Sequence, residues 1–293
     1  MFSKPHTDMA VLDQVTVIVV THHSEHCLSA LDTLVRSCPH VTISDNASND
    51  GTPSAAQALW PHAKVLAHPH NLGFGAANNR ALAQVSTPYA LLLNPDCEIT
   101  PEALSALIEQ AHALPEAAML APQILKANGQ RDVNYRWPNT HWKPKMGAAD
   151  GLLCVGFVCG AVMLLRMDQF QTVGFFDEDF FLYYEDDDLC LRLFKAHKSI
   201  VVDPSVQALH RSRGSVKGRS PWRSEYTRGY HHAQSKLIFA AKHDSLAAAK
   251  RKRRTLLWQT TLALPLRLVL LSPKLLTRMA GRWMGTLNWN SHD

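Results

Sequence analysis

Apolar and polar positions alternate in blocks along the first third of the chain. Val15 to Val20 (VTVIVV) is an unbroken β-branched run, which predicts a strand buried on both faces, as in a parallel sheet. A polar turn, Thr21-His22-His23-Ser24, follows, and Cys27, Leu28, Leu31, Leu34 and Val35 then recur at helical spacing. The cycle repeats. Val41 to Ser44 predicts a strand, Asp45 to Thr52 is a cluster of turn formers, and Pro53 to Leu59 predicts a helix. Lys64 to Ala67 predicts a third strand, leading through Asn71-Leu72-Gly73-Phe74-Gly75 to a helix over 76–85. Tyr89 to Leu93 predicts a fourth strand ending at Asn94-Pro95-Asp96, and Thr100 caps a helix that starts at Pro101 and runs to Leu114. Strand–helix alternation of this kind predicts an α/β fold with a parallel, doubly wound sheet. Such sheets bind ligands beyond the carboxyl ends of their strands. Thr21, Asp45, Asn71 with Gly73, and Asp96 all fall at that edge. Singly each reads as a turn residue; as a series they read as a binding edge. Neither GxGxxG nor GxxxxGK[ST] occurs, which argues against dinucleotide and P-loop sites.

The pattern changes at Gly174 to Phe194 (GFFDEDFFLYYEDDDLCLRLF), where seven acids are threaded through six Phe and Tyr residues before the final helical turn. Aromatic side chains need burial and carry the neighbouring carboxylates to the edge of a core or pocket. Carboxylates held there have the shifted pKa values that a general base or metal ligand requires. After Tyr184 the spacing turns helical, with Leu189 and Leu193 on one face and Glu185 and Asp186 in the first turn. An acidic helix start capped over a hydrophobic plug accounts for the same residues.

Charge divides the chain. Residues 1–210 carry 13 Lys and Arg against 22 Asp and Glu; the remainder carries 17 against 3. The acidic body suits a divalent metal, and the basic tail suits phosphates or an anionic membrane surface. No RNA- or DNA-binding module accompanies the tail, which argues against nucleic acid. Two helices are predicted there, over 230–242 and 245–285. Lys250 to Arg254 is followed by Leu256 to Leu271, an apolar run that Pro265 and Arg267 interrupt. With Trp258, Trp283 and Trp289, this predicts a helix lying in a membrane interface, or else the face of a homodimer. The first reading places the protein on the cytoplasmic face of the cell membrane with a lipid-linked acceptor. Six scattered cysteines without a CxxC spacing read as reduced, mostly buried thiols. The N-terminus lacks the apolar region of a signal peptide.

The segments VTVIVVTHHS, SDNASNDGT, NLGFGAANNRAL, LLLNPDCEI, GFVCGAVMLLR, VGFFDEDFFLYYEDDDLCLRL and ALHRSRGS, in this order, resemble family 2 glycosyltransferases of the GT-A fold over residues 15–215. Within that family they look most like the rhamnosyltransferase branch. The resemblance implies a GT-A domain over 1–229 with a basic amphipathic helical tail over 230–293. It implies inverting transfer of a sugar, L-rhamnose from dTDP-L-rhamnose first and a UDP-sugar next, to a saccharide or lipid-linked acceptor in cell-surface polysaccharide synthesis. A fold retained by an inactive nucleotide-binding scaffold is the competing expectation. Thr21, Asp45, Asn71, Gly73 and Asn94 would then bind the nucleotide-sugar donor, Asp45 receiving the pyrimidine N3–H. Asp96, in a DxD-type motif with Asn94 at its first place, would hold Mg²⁺ or Mn²⁺ together with His210. Asp186 would be the catalytic base, facing the metal across the sugar, and Glu185 would orient the acceptor. In the family reading the irregular segment 126–150, with Tyr135, Trp137 and Trp142, would shape the acceptor site; a loop anchored by its aromatics accounts for it equally. The Arg-rich run Arg211 to Arg228, with Gly214 and Gly218, reads as a loop that closes over the diphosphate or as a solvated one. Thr21-His22-His23 departs from the family's Thr-Tyr-Asn. His22 would replace the stacking Tyr, with His23 on the opposite side of an extended segment.

Overall fold

The structure, a computed structural model, describes residues 11–137, 147–211, 221–269 and 272–290. Trp142 and residues 212–220 of the segment expected to close over the diphosphate lie outside them. The chain divides into two compact units. One comprises Met1–Leu72, Ala76–Phe176 and Leu189–Val216; the other comprises Gly73–Gly75, Asp177–Asp188 and Lys217–Asp293.

The first unit is a mixed sheet with helices. β1 (Val15–Thr21), α1 (Leu28–Ser37), β2 (His40–Asp45), α2 (Thr52–Leu59), β3 (Lys64–Ala67), α3 (Phe74–Leu82) and β4 (Tyr89–Leu93) follow the predicted alternation. The strands β3-β2-β1-β4 are parallel neighbours in that order. Central position buries every residue of β1 and β4. Val17 and Val19 join Leu28, Leu31, Leu34 and Val35 of α1 in one apolar cluster. β5 (Cys97–Glu98) leads to α4 (Pro101–Ala113), where Thr100 Oγ1 accepts from the Ala103 amide at 3.2 Å, as the capping pattern predicts.

Beyond β4 the sheet is mixed. β6 (Ala117–Lys126), β7 (Arg131–Asp132), β9 (Leu153–Val155), β11 (Val162–Arg166) and β12 (Ser199–His210) complete it, β6 and β12 running parallel, while β8 (Tyr135–Arg136) and β10 (Phe157–Val158) pair as a separate antiparallel two-stranded sheet. The full order is β3-β2-β1-β4-β11-β6-β12-β5, with β11 antiparallel to β4 and β6, and β5 antiparallel to β12. β12 extends well past Asp203. The Asp203 carboxylate accepts from the Ser205 amide at 2.9 Å and its hydroxyl at 2.6 Å, and pairing with β6 resumes at Gln207 after a register shift. His210 is therefore the last residue of a strand rather than part of a loop after one.

The second unit holds the acidic segment 177–188 with α6 (Pro221–His243), α7 (Leu246–Val269) and α8 (Pro273–Leu287). α5 (Glu185–Lys195) starts in this unit and ends in the first. The boundary expected at 229–230 falls inside α6. Close approach of α6 and α8 requires glycine. A Cβ on Gly281 would lie 2.0 Å from the Tyr226 carbonyl oxygen, one on Gly285 would lie 2.3 Å from that of Tyr230, and one on Gly229 would lie 2.1 Å from that of Arg278. Leu237, Ala240, Ala249, Leu256 and Trp289 form the core of the unit. Trp289 is thus not the membrane anchor expected of it; its ring fills that core. Pro265 lies inside α7. Trp258 and Leu262, one turn apart on α7, are each 70% exposed. Among the described residues, no helix is long and apolar enough to cross a membrane. All six cysteines are free; Cys27, Cys38, Cys97 and Cys190 are buried, as expected of most of them, and Cys154 is exposed.

Candidate functional site

The ends of β1 and β2 build the first part. Thr21 and Asp45 are register partners, and both are buried. The Thr21 hydroxyl donates to Asp45 Oδ1 at 2.9 Å. Ser48 donates twice, from its amide to Oδ2 at 2.9 Å and from its hydroxyl to Oδ1 at 2.6 Å. A carboxylate has about four acceptor positions, so one remains for a ligand N–H. Asn46 Oδ1 accepts from the Leu72 amide at 2.9 Å, tying the second loop to the one that contains Asn71. His22 Nδ1 meets the Asn46 carbonyl at 2.8 Å, which fixes the imidazole plane. Burial, and then the neighbouring His23, pushes the His22 pKa down, so it remains neutral at physiological pH. The two rings do not point apart: their centroids are 4.1 Å apart. The cause is His23 itself, at φ 54, since left-handed backbone breaks the alternation of an extended segment.

The second part forms where β4 ends. The turn Asn94–Cys97 is closed by the Cys97 amide on the Asn94 carbonyl at 2.9 Å, and Asn94 is half-buried. β5 then pairs with the end of β12, so His210 lies opposite Cys97. The Arg211 amide donates to the Asp96 carbonyl at 2.9 Å, and the Arg211 guanidinium reaches Glu98 at 2.5 Å. His210 Nε2 comes to 3.6 Å from Asp96 Oδ1. One ligand atom each from Asp96, Cys97 and His210 lies within 4.8 Å of the others. A buried carboxylate and an imidazole fit a divalent ion such as Mn²⁺. Cys97 is a packing group: it is fully buried, and burial, with the charge of Asp96 second, holds its thiol well above the usual range.

The second unit carries the acidic segment, which is built within that unit. Tyr183 (φ 70) and Tyr184 (φ 67) are consecutive left-handed residues, a conformation that costs non-glycine residues of order 1–3 kcal/mol each. α6 holds them. His232 meets Tyr183 and Tyr184 edge-on at 5.5 and 5.6 Å, His231 stacks on Phe181 at 4.2 Å, and the Ser235 hydroxyl donates to the Leu182 carbonyl at 2.9 Å. His243 Nε2 lies 2.7 Å from Asp188 Oδ1, and Lys242 pairs with Asp177 and Asp179. Gly73 adds a backbone contact. It adopts φ 89, and a Cβ there would lie 2.3 Å from the Phe181 carbonyl, which accepts from the Phe74 amide at 3.0 Å. Gly73→Ala is therefore expected to lower Tm and donor affinity together; an unchanged Tm would show that the loop yields without cost.

The strained pair opens directly into α5. Of its four opening acids, Glu185, Asp187 and Asp188 are buried, whereas Asp186 retains access to solvent. Its Oδ1 accepts from the Asp187 amide at 2.9 Å. Glu185 Oε2 is buried without a hydrogen-bond partner among the described residues. Burial, and then the charge of Asp186, raises the Glu185 carboxyl well above its ordinary range. A raised acid pKa stabilises the fold below the unfolded value, and that contribution is lost as pH rises through the folded value. Glu185→Gln should therefore raise Tm relative to the wild type above neutral pH, with the difference shrinking in acid. An equal difference at every pH would contradict a buried titrating carboxyl.

Sequence reasoning missed Asn79. Its amide donates to the Phe176 carbonyl at 2.8 Å and accepts from the Phe176 amide at 3.1 Å, pinning the start of the acidic stretch to α3. An amide side chain in a helix has too many possible partners for its own pattern to name one. Missed as well was the role of α6 as the support of segment 177–188.

Comparison with known proteins follows this geometry. The model of the glycosyl transferase family 2 matches residues 16–174. An N-acetylglucosaminyl-diphospho-decaprenol L-rhamnosyltransferase of Mycobacterium tuberculosis is 30% identical over 269 residues, covering 79% of this chain and 86% of that protein. The rhamnosyltransferase WbbL of Escherichia coli is 27% identical over 221 residues, covering 67% of this chain and 83% of that protein. Among solved structures, the mannosyltransferase PcManGT of Pyrobaculum calidifontis, in complex with GDP-Man and Mn²⁺, superposes with a TM-score of 0.56 at 17% identity, covering 94% of this chain and 86% of that one. A family model matched over more than half the chain, together with a mixed α/β sheet and a relative at 30% identity, makes this protein a member of glycosyltransferase family 2, similar to its rhamnosyltransferases, with a GT-A-like fold.

Proposed function

We propose that the protein is an inverting, metal-dependent glycosyltransferase that moves L-rhamnose from dTDP-L-rhamnose to a lipid-linked, diphosphate-bearing saccharide. The observation that carries this reading is the meeting of Asp96 and His210 at the β5–β12 pairing. Asp96 and His210 would hold Mg²⁺ or Mn²⁺, whose contribution is to neutralise charge on the departing nucleoside diphosphate. Thr21 and Asp45 receive the base, with His22 presenting a fixed imidazole plane. Asn71, Gly73 and Asn94 line the donor's path. Asp186 removes the proton of the acceptor hydroxyl as that oxygen attacks the anomeric carbon. Glu185 beside it, holding its proton, hydrogen-bonds the acceptor. One displacement inverts the anomeric centre. Residues 1–229 serve catalysis. Residues 230–293 form a basic extension that faces an anionic cytoplasmic membrane surface through Arg251, Arg254, Trp258 and Leu262, all exposed on α7. The relatives named as rhamnosyltransferases support the donor, and the diphospho-decaprenol in the name of one supports the acceptor class. Nuclear magnetic resonance of the product tests the mechanism: an anomeric configuration opposite to the donor's is expected, and a retained configuration would overturn single displacement.

A further inference from the structure

Two cations of the second unit have no ion-pair or hydrogen-bond partner for their side chains among the described residues: Lys236 on α6 and Arg282 on α8, both half-buried. Arg282 Nε is itself fully buried. Neighbouring basic groups are all engaged. Arg228 and Arg278 flank Glu225 at 3.6 and 2.8 Å, Lys252 reaches Asp244 at 3.3 Å, and Arg253 donates to the carbonyls of Thr286 and Leu287 at 3.0 and 2.8 Å.

The pair is held together by the glycine crossing. The Arg282 amide nitrogen lies 2.9 Å from where a Cβ on Gly229 would sit, and His232 and Lys236 follow Gly229 on α6 at the next two turns. Burial and then Arg282 push the Lys236 ammonium down. Burial, with Arg282 and Lys236 following, pushes the His232 imidazole to about 4. Half-buried like charges without a counter-ion are costly, and the partner that relieves them is an anion. His232 links this point to the chemistry, because its ring touches the two tyrosines immediately before Glu185 and Asp186.

We propose that Lys236 and Arg282 form a phosphate-group subsite, and that its occupant is the diphosphate of the acceptor. The forked guanidinium and the mobile ammonium suit adjacent phosphate oxygens. The occupant rests on the acceptor class proposed above; the anion site itself does not.

The test uses the full chain and its Lys236→Gln/Arg282→Gln variant. Calorimetry with inorganic pyrophosphate in the presence of a chelator reads the subsite without the Asp96 metal. Binding by the wild type, weakened at least tenfold in the variant, is expected; equal affinity in the two proteins would overturn the anion site. Kinetics then compare one saccharide carried on a short-chain lipid diphosphate and on a neutral alkyl group. A KM raised at least tenfold for the diphosphate acceptor alone, with donor KM unchanged and Tm not lowered, is expected. Equal losses on both acceptors would overturn a diphosphate contact. If pyrophosphate binding is lost while both acceptors react as before, the anion site stands and the acceptor diphosphate as its occupant is overturned, with the acceptor class of the proposed function untouched. Loss of binding to phosphatidylglycerol vesicles, with acceptor kinetics intact, would assign the subsite to a lipid headgroup and overturn the proposal.

Discussion

Asp186→Asn is expected to slow sugar transfer by about 10²–10⁴-fold while leaving donor affinity nearly unchanged. The substitution keeps size and shape and removes only basicity. The carbonyl oxygen of asparagine can still accept from the Asp187 amide, which Asp186 Oδ1 does at 2.9 Å, so the start of α5 survives. Asp186 is the member of the opening acid group that retains access to solvent, as a group that meets an acceptor hydroxyl must. Among its buried neighbours, Asp188 engages His243, and burial, then the charge of Asp186, raises the Glu185 carboxyl above its ordinary range, which suits it less to act as a base. Single-turnover kinetics with saturating donor, together with calorimetric donor binding, separate chemistry from affinity. Near-normal turnover in Asp186→Asn would remove the base assignment.

Asp96→Ala is expected to weaken metal-dependent donor binding by at least roughly 100-fold, the upper end of what even outer-shell partners of a metal ligand cost. The fold should tolerate the change, because the link from Asp96 to β12 runs through its backbone carbonyl, which accepts from the Arg211 amide. His210→Ala should move the metal titration in the same direction by less, since a neutral ligand contributes less charge than a carboxylate. Titration with Mn²⁺ at fixed donor checks both. Unaltered metal dependence in Asp96→Ala would place the ion elsewhere.

Much of this arrangement is legible in the chain, for local reasons. β1, β3 and β4 are short apolar runs bounded by turn formers, and Thr100-Pro101 announces its own cap. Asp45, Asp96 and Asp186 stand out because each sits where a pattern breaks. Other features depend on partners distant in sequence. β6 (AAMLAPQILK) carries an alanine-rich start and Pro122, so it lacks alternation, and its place is set by pairing with β11 and β12. β12 looks finished at Asp203 because the Asp203–Ser205 turn resembles a terminator. Tyrosine has no preference for left-handed backbone, so nothing in the letters marks Tyr183 and Tyr184. Their conformation is imposed by α6, itself read as part of a tail. Gly281 and Gly285, four apart, are a visible small-residue spacing, but the backbone they admit belongs to a helix more than fifty residues earlier.

The account stands on metal-assisted transfer from a nucleotide sugar. Its most direct test incubates the full chain with dTDP-L-rhamnose, Mn²⁺ and an N-acetylglucosaminyl lipid diphosphate, and follows the lipid by mass spectrometry. The account predicts an acceptor heavier by one deoxyhexose, formed with Mn²⁺ and abolished by a chelator. Transfer that is undiminished in the chelator, or an acceptor left unmodified with every divalent ion and nucleotide sugar supplied, would contradict it.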